Sequence, residues 1–250
     1  MSQDAWMVVC RKELVDTLRD GRSLVMAFLF AWLGPLLAAV LAFTVPQPGL
    51  LPAFLMVVAF TASMPVAIDS MAGERERGSL EPLLLTAVPP GELIAGKWLA
   101  VLMLSLAGVV LNLACTFVAV HVTPLGKLPT SSLLWMFAAV VPLCVLASGA
   151  QLLVSTFARS HKEANSYLSF LVLAPMLIGI LGEFFPVRLQ WLTAMVPVLG
   201  QQRILSDLAH GNVTYPPWLL AGGVVSLIGG LLALAVNARL LRSEKVVFGR

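Results

Sequence analysis

The sequence predicts an all-α membrane protein that crosses the bilayer six times, with both ends in the cytoplasm. Three observations predict it. The composition is 59% hydrophobic and 12% charged, with a mean hydropathy of +0.92, whereas a soluble domain carries roughly a quarter of its residues as charges. The remaining charges fall in short clusters between apolar runs of about 20 residues, the length a helix needs to cross the hydrocarbon core. Lysine and arginine also alternate in density from one connecting segment to the next, and the richer side belongs in the cytoplasm.

Residues 1–22 come before any long apolar run. Met7, Cys10, Leu14 and Leu18 recur at helical spacing while Lys12, Asp16, Arg19 and Asp20 occupy other faces. This predicts an amphipathic helix lying in the interface, anchored by Trp6, against the alternative of an unstructured polar leader. Asp4, Glu13, Asp16 and Asp20 argue against a cleavable signal, which starts short and basic.

The expected spans are 24–45, 53–72, 98–120, 133–157, 166–185 and 217–238. Pro35, Pro65, Pro142 and Pro175 fall inside them, which is tolerable where neighbouring helices satisfy the freed carbonyls. One set of alternate segments carries Arg11, Lys12, Arg19 and Arg22, then Arg75, Arg77 and Lys97, then Arg159 and Lys162, then Arg239, Arg242, Lys245 and Arg250. The other set holds only Lys127, Arg188 and Arg203. The segment 186–215 stays rich in Leu, Val and Met, and Pro186 and Pro197 divide it. It reads as an outer re-entrant region with short helices at 187–195 and 199–209. A seventh span is the competing reading, made costly by Arg203 and Asp207 on one helical face.

Several functions are disfavoured. The net charge is +3, but acidic residues interleave with basic ones and no cluster suits a nucleic acid backbone. Cys10, Cys115 and Cys144 have no disulfide or metal spacing. His121, His161 and His210 fall in three separate loops. No protease or hydrolase motif is present. Gly91 to Lys97 fits Gly-x4-Gly-Lys, but Trp98 follows where a phosphate loop needs Ser or Thr. No ATP hydrolysis is therefore expected of this chain alone.

The longest cytoplasmic loop, 73–97, is the most informative. The charge cluster Glu74, Arg75, Glu76 and Arg77 is followed by a short amphipathic piece, Ser79 to Thr86. Ser79 is its cap, Pro82 sits in the first turn, and Pro89, Pro90 and Gly91 end it. Leu80, Leu83 and Leu84 need burial against the membrane surface or a protein partner; a solvated charged loop is the plain alternative.

This stretch resembles the signature loop of type-2 ABC transporter permeases, particularly their sodium-export branch. Matching positions are Glu74, Arg75, Glu76, Gly78, Leu80, Glu81, Leu83, Leu84, Thr86, Val88, Glu92, Gly96 and Lys97. Ser79 replaces a threonine, and Ala87 stands where the family has proline. Lys12-Glu13-Leu14 with Asp16 and Arg19 looks similar too, as does Ala158-Arg159-Ser160 through Glu163-Ala164. The resemblance implies a permease domain filling 1–250, in a bacterial cytoplasmic (inner) membrane. It implies an ATP-driven exporter in which the loop is a coupling helix seated on a separate ABC ATPase subunit. Two ATPase copies would hold ATP and Mg, and a second permease chain, identical or paralogous, would complete the pathway. The residues expected to carry coupling are Glu74, Arg75, Glu76, Arg77, Ser79, Leu80, Glu81, Leu83, Leu84 and Thr86. No cofactor, catalytic residue or metal is expected on this chain.

Asp69, Asn112, Gln151 and Glu183 are the polar residues inside spans and hence pathway candidates, although Asp69 equally suits pairing with Arg75 or Arg77, and Asn112 and Gln151 equally suit bridging helices. Gly222, Ser226 and Gly230 form a small-residue face for close helix approach. Two other functions remain open: a stand-alone secondary transporter, which predicts internal repeats, a charged centre and broken helices, and a membrane-embedded enzyme.

Overall fold

A computed structural model describes residues 5–43, 50–85, 88–123, 130–185, 194–211 and 216–241. Among them the chain is helical, with no strand. The elements are α1 (Ala5–Arg19), α2 (Gly21–Leu41), α3 (Leu50–Thr61), α4 (Met64–Ile68), a π-helical turn (Asp69–Gly73), α5 (Glu74–Glu76), α6 (Leu80–Leu84), α7 (Pro90–Val122), α8 (Thr130–Phe157), α9 (His161–Phe184), α10 (Leu199–Ala209) and α11 (Pro216–Leu240).

Five helices among the described residues are long and apolar enough to cross a membrane: Leu50–Glu76, Pro90–Val122, Ser131–Phe157, His161–Gly182 and Leu220–Leu240. Helix α2 adds a shorter apolar stretch, Leu29–Leu41. Six long spans were expected, so α2 is the element on which the crossing count turns. The outward faces are apolar, as a lipid-solvated bundle requires: Leu29, Phe30 and Leu33 on α2, and Phe170 and Leu177 on α9, are all exposed.

The second span is broken. Pro65 lies in the first turn of α4, where it lacks an N–H and its ring crowds the carbonyl four residues back, at Thr61. The helix ends at Thr61 and restarts at Met64. Pro35, Pro142 and Pro175, by contrast, lie inside continuous helices. The last carbonyls of α3 need partners in a medium without water. Ser105 of α7 donates its hydroxyl to the Ala59 carbonyl at 2.6 Å, and the Gln151 amide of α8 donates to the Phe60 carbonyl. Ser63 closes the set by donating to Gln151 Oε1 at 3.0 Å. We expect Gln151→Leu to cost about 1–3 kcal/mol, since it strands the Phe60 carbonyl and the Ser63 hydroxyl. A lowered thermal inactivation midpoint in detergent measures this, and an unchanged midpoint rejects it.

Helices α8 and α11 pack at backbone distance. A Cβ on Gly230 would stand 2.5 Å from the Val145 carbonyl oxygen, and one on Gly149 would stand 2.7 Å from that of Gly230. The small-residue face of Gly222, Ser226 and Gly230 thus packs within the chain: Gly230 meets α8, and a Cβ on Gly222 would stand 2.8 Å from the Ala194 carbonyl oxygen. Helix α10 covers the residues expected for the second short outer helix, while 187–195 lies largely outside the described residues. Gln202 of α10 donates to the Gly179 carbonyl at 3.2 Å, and Arg203 pairs with Asp207 at 3.0 Å.

One core cluster fixes which ends coincide. Ile68, Met71, Ala158, Ala164 and Leu241 are buried together. This brings the C-terminal end of α11 to the same end of the bundle as the π turn and the α8–α9 link. Helix α1 docks there as well, on the first turns of α7.

Candidate functional site

The first turns of α7 carry two residues that hold α1 in place. Gly96 lets the α1 backbone come close, since a Cβ there would stand 2.5 Å from the Trp6 carbonyl oxygen and 2.8 Å from Val9 Cβ. Next to it, Lys97 is 0% exposed. A buried ammonium is tolerable only when its charge is paired and its protons are all used. Both conditions hold. Lys97 Nζ donates to Glu74 Oε2 at 2.7 Å, to Glu13 Oε1 at 3.0 Å and to the Ser70 carbonyl at 2.7 Å.

Lys12 reaches the same carboxylates from the solvent side, at 2.9 Å from Glu74 Oε1 and 3.3 Å from Glu13 Oε1. The result is two ammonium groups and two carboxylates with no net charge, joining α1, the π turn, α5 and α7. Partial burial pulls the Lys12 pKa down. The hydrogen bond to Glu74 and the charges of Glu13 and Glu74 outweigh that pull and hold the pKa above the ordinary lysine range.

The rest of the charge cluster fastens this junction to its neighbours. Arg75 donates to the Ala158 carbonyl at the end of α8, at 2.9 Å. Glu76 Oε2 accepts from the His161 backbone N–H at the start of α9, at 2.7 Å, using an orphan donor of that helix. Ser160 caps α9 by accepting from the Glu163 N–H. Arg77 pairs with Asp69 across the π turn at 2.7 Å. Ser79 donates its hydroxyl back to the Glu74 carbonyl at 3.1 Å.

Beyond that, α6 presents a mixed surface. Leu80 is buried within the chain at 2% exposure, whereas Leu85 is 85% exposed. The expectation that Leu80 faces outward is thus corrected: it packs inward, and Leu85 is an outward leucine among the described residues. Leu83 is half-buried. Thr86 lies outside the described residues, as do the side chains of Glu81 and Leu84.

Of the pathway candidates, Asp69 belongs to the junction through Arg77. Asn112 is buried and donates to the Ala31 carbonyl at 2.9 Å, bridging α7 to α2. Gln151 serves the break in the second span. The Glu183 side chain lies outside those described. An apolar groove of about 320 Å³ between α2 and α7, lined by Trp32, Pro35, Ala114 and Val118 among others, contains none of the four.

The structure therefore brings together three stretches that are distant in sequence: Lys12-Glu13, Glu74 to Arg77 with Lys97, and Ala158 to Glu163. What sequence reasoning missed was the role of Lys97, which it counted only among the basic residues of the 73–97 loop and the positions matching the family.

Comparison with known proteins bears on the same region. The family model described as ABC-2 family transporter protein matches residues 52–210. The chain is 28% identical over 209 residues to "ABC transporter permease protein NatB" of Bacillus subtilis (strain 168), covering 80% of this chain and 54% of NatB. It is 27% identical over 216 residues to "Probable ABC transporter permease protein NosY" of Stutzerimonas stutzeri, covering 76% of each. The chain thus spans about half the length of NatB.

Proposed function

This chain belongs to the ABC-2 transporter family, and we propose that it is the permease subunit of an ATP-driven exporter, filling residues 1–250 as one transmembrane domain. It works with two copies of a separate ABC ATPase, which hold the ATP and Mg, and with a second permease chain, identical or paralogous. Substrate movement follows from alternating access between inward- and outward-facing arrangements. The observation that carries this reading is the junction: the segment beside α6 is fastened by ion pairs and hydrogen bonds to α1, α7, α8 and α9 at once. A push on α6 from outside is thereby delivered to most of the bundle.

Helix α2 is the sixth crossing in this proposal. It starts at the end of the bundle where α1 docks, and α11 finishes at that same end, which requires an even number of crossings. The excess of Lys and Arg at that end assigns it to the cytoplasm of a bacterial inner membrane, with the region around α10 outside.

The test is co-purification and transport. The chain should co-purify with an ABC ATPase and move substrate in proteoliposomes only with ATP; transport by the chain alone on a proton or sodium gradient rejects the proposal. Leu85→Asp, and equally Leu84→Asp, should reduce ATPase co-purification at least tenfold while membrane insertion stays normal. Unchanged co-purification removes α6 from the coupling role.

A stand-alone secondary transporter is the second reading, favoured by the break between α3 and α4. Two carbonyls at that break, of Ala59 and Phe60, are taken by Ser105 and Gln151, which makes it a helix joint rather than an ion cage.

A further inference from the structure

The π turn is held by two side chains that come from other helices. In a regular α-helix the Ala72 N–H bonds the Ile68 carbonyl, and the Glu74 N–H bonds that of Ser70. Ser155 of α8 touches both members of the first pair: its hydroxyl accepts from the Ala72 N–H and donates to the Ile68 carbonyl, at 3.4 Å each. Lys97 of α7 takes the Ser70 carbonyl at 2.7 Å, and the Glu74 N–H turns instead to the carbonyls of Asp69 and Met71. Ser70, Ala72 and Ser155 are buried, so the partners available here are these side chains or the backbone itself. A side chain inserted in the helical ladder is a known cause of such a bulge, and single π turns concentrate at functional sites.

Removing the bulge would advance everything beyond it by one α-helical step, about 100° and 1.5 Å. Glu74 would then stand where Arg75 now stands, away from Lys97, and Gly73 would take its place. Arg77 would leave Asp69, its partner across the turn. Arg75 and Glu76 would leave the Ala158 carbonyl and the His161 N–H. One local change thus releases these fastenings together, while the freed Ser70 carbonyl takes the Glu74 N–H. Both forms give that carbonyl a donor, which is what allows one segment two states.

We propose that the π turn Asp69–Gly73 is a register switch between α4 and α5, with Ser155 and Lys97 as its two catches, and that the transport cycle passes through the α form. The catches sit on α8 and α7, so a shift of either helix relative to α4 releases the turn. Release of the turn frees the segment that carries α6. The switch rests on the permease reading above and supplies its moving part.

The experiment uses the full chain in nanodiscs, with Cys10, Cys115 and Cys144 replaced by alanine and spin labels on Leu18→Cys and Leu85→Cys. Ser155→Ala should enrich a second distance between the labels by roughly fivefold, the effect of about one buried hydrogen bond. Deleting Ala72 as well should restore the first distance, because an α-helix shorter by one residue puts Glu74 back at Lys97. A single unchanged distance in Ser155→Ala overturns the proposal. So does a Ser155→Ala effect that the deletion leaves in place, or a deletion that unfolds the chain.

Deletion of Ala72 alone holds the segment in the α form with the junction closed. Such a chain should co-purify normally with an ABC ATPase yet lose ATP-driven transport in proteoliposomes by about tenfold or more, within the range that coupling between sites spans. Transport at the level of the unmodified chain overturns the proposal. If the unmodified chain neither binds an ATPase nor transports with ATP, the permease reading fails and the role in transport with it, while the distance measurement on the chain alone still decides the switch.

Discussion

Lys97→Met should lower the stability of this protein by about 3–5 kcal/mol, the cost of leaving buried carboxylates without their cation. The methionine fills most of the lysine's volume, so packing is nearly conserved and the loss is electrostatic. Glu74 and Glu13 are only 4% and 5% exposed. They would keep a single cation, Lys12, whose side chain is 54% exposed, so its attraction is screened by water. The Ser70 carbonyl also loses its donor. In a chain of 250 residues the loss corresponds to an apparent melting temperature lower by about 10 °C, from roughly 2–4 °C per kcal/mol.

A control separates charge from shape. Adding Glu13→Gln and Glu74→Gln to Lys97→Met removes the stranded charges and should recover at least half of the loss. Equal instability of the single and triple variants would show that packing, not charge, is what Lys97 supplies. Lys97→Arg should be intermediate: a planar guanidinium cannot direct its donors at two carboxylates and a carbonyl placed for a compact ammonium.

Gly230→Leu is expected to have the second-largest effect. The Cβ alone would sit 2.5 Å from the Val145 carbonyl oxygen and 2.7 Å from the Val145 carbonyl carbon. Both are backbone atoms of a continuous helix, so no rotamer change relieves the clash, and α11 must move off α8. Overpacking of this kind costs about 1–3 kcal/mol where side chains yield, and here the cost should reach or exceed the top of that range. Steady-state protein level in the membrane and the melting temperature in detergent are the measurements. Gly211→Leu serves as a partial control, because a Cβ there meets nothing within 4 Å, although its φ of +74° favours glycine. Similar losses for both variants would deny that helix contact is the cause.

The membrane class was legible because it rests on local quantities: apolar runs, their lengths, and the sidedness of basic residues. The signature loop was legible from its residues. Lys97 was not, because its meaning depends on Glu13, 84 positions away, and on α1 folding back onto α7. A signal was present in Gly96-Lys97, where a glycine that admits a neighbouring backbone precedes a cation that needs burying partners. The same limit applies to Pro65. It was expected to be tolerated like Pro35 and Pro142, yet it ends a helix. Ser105 and Gln151, on two other helices, supply the hydrogen bonds at that helix end, and no local pattern announces them. Asn112 and Gln151 were expected as polar residues within spans; only the bundle shows that the Asn112 amide donates to the Ala31 carbonyl and the Gln151 amide to that of Phe60.

The break after Thr61 also has a mechanical consequence. From Met64 to Glu76 the lower part of the span is a rod of roughly 20 Å, at about 1.5 Å of rise per residue. With the joint as fulcrum, a tilt of about 10° swings the far tip by roughly 3 Å, the length of a hydrogen bond. Glu74, near that tip, holds Lys97 at 2.7 Å. The arm is thus long enough that a modest angular change at the joint would displace Glu74 from Lys97 by about the length of that ion pair.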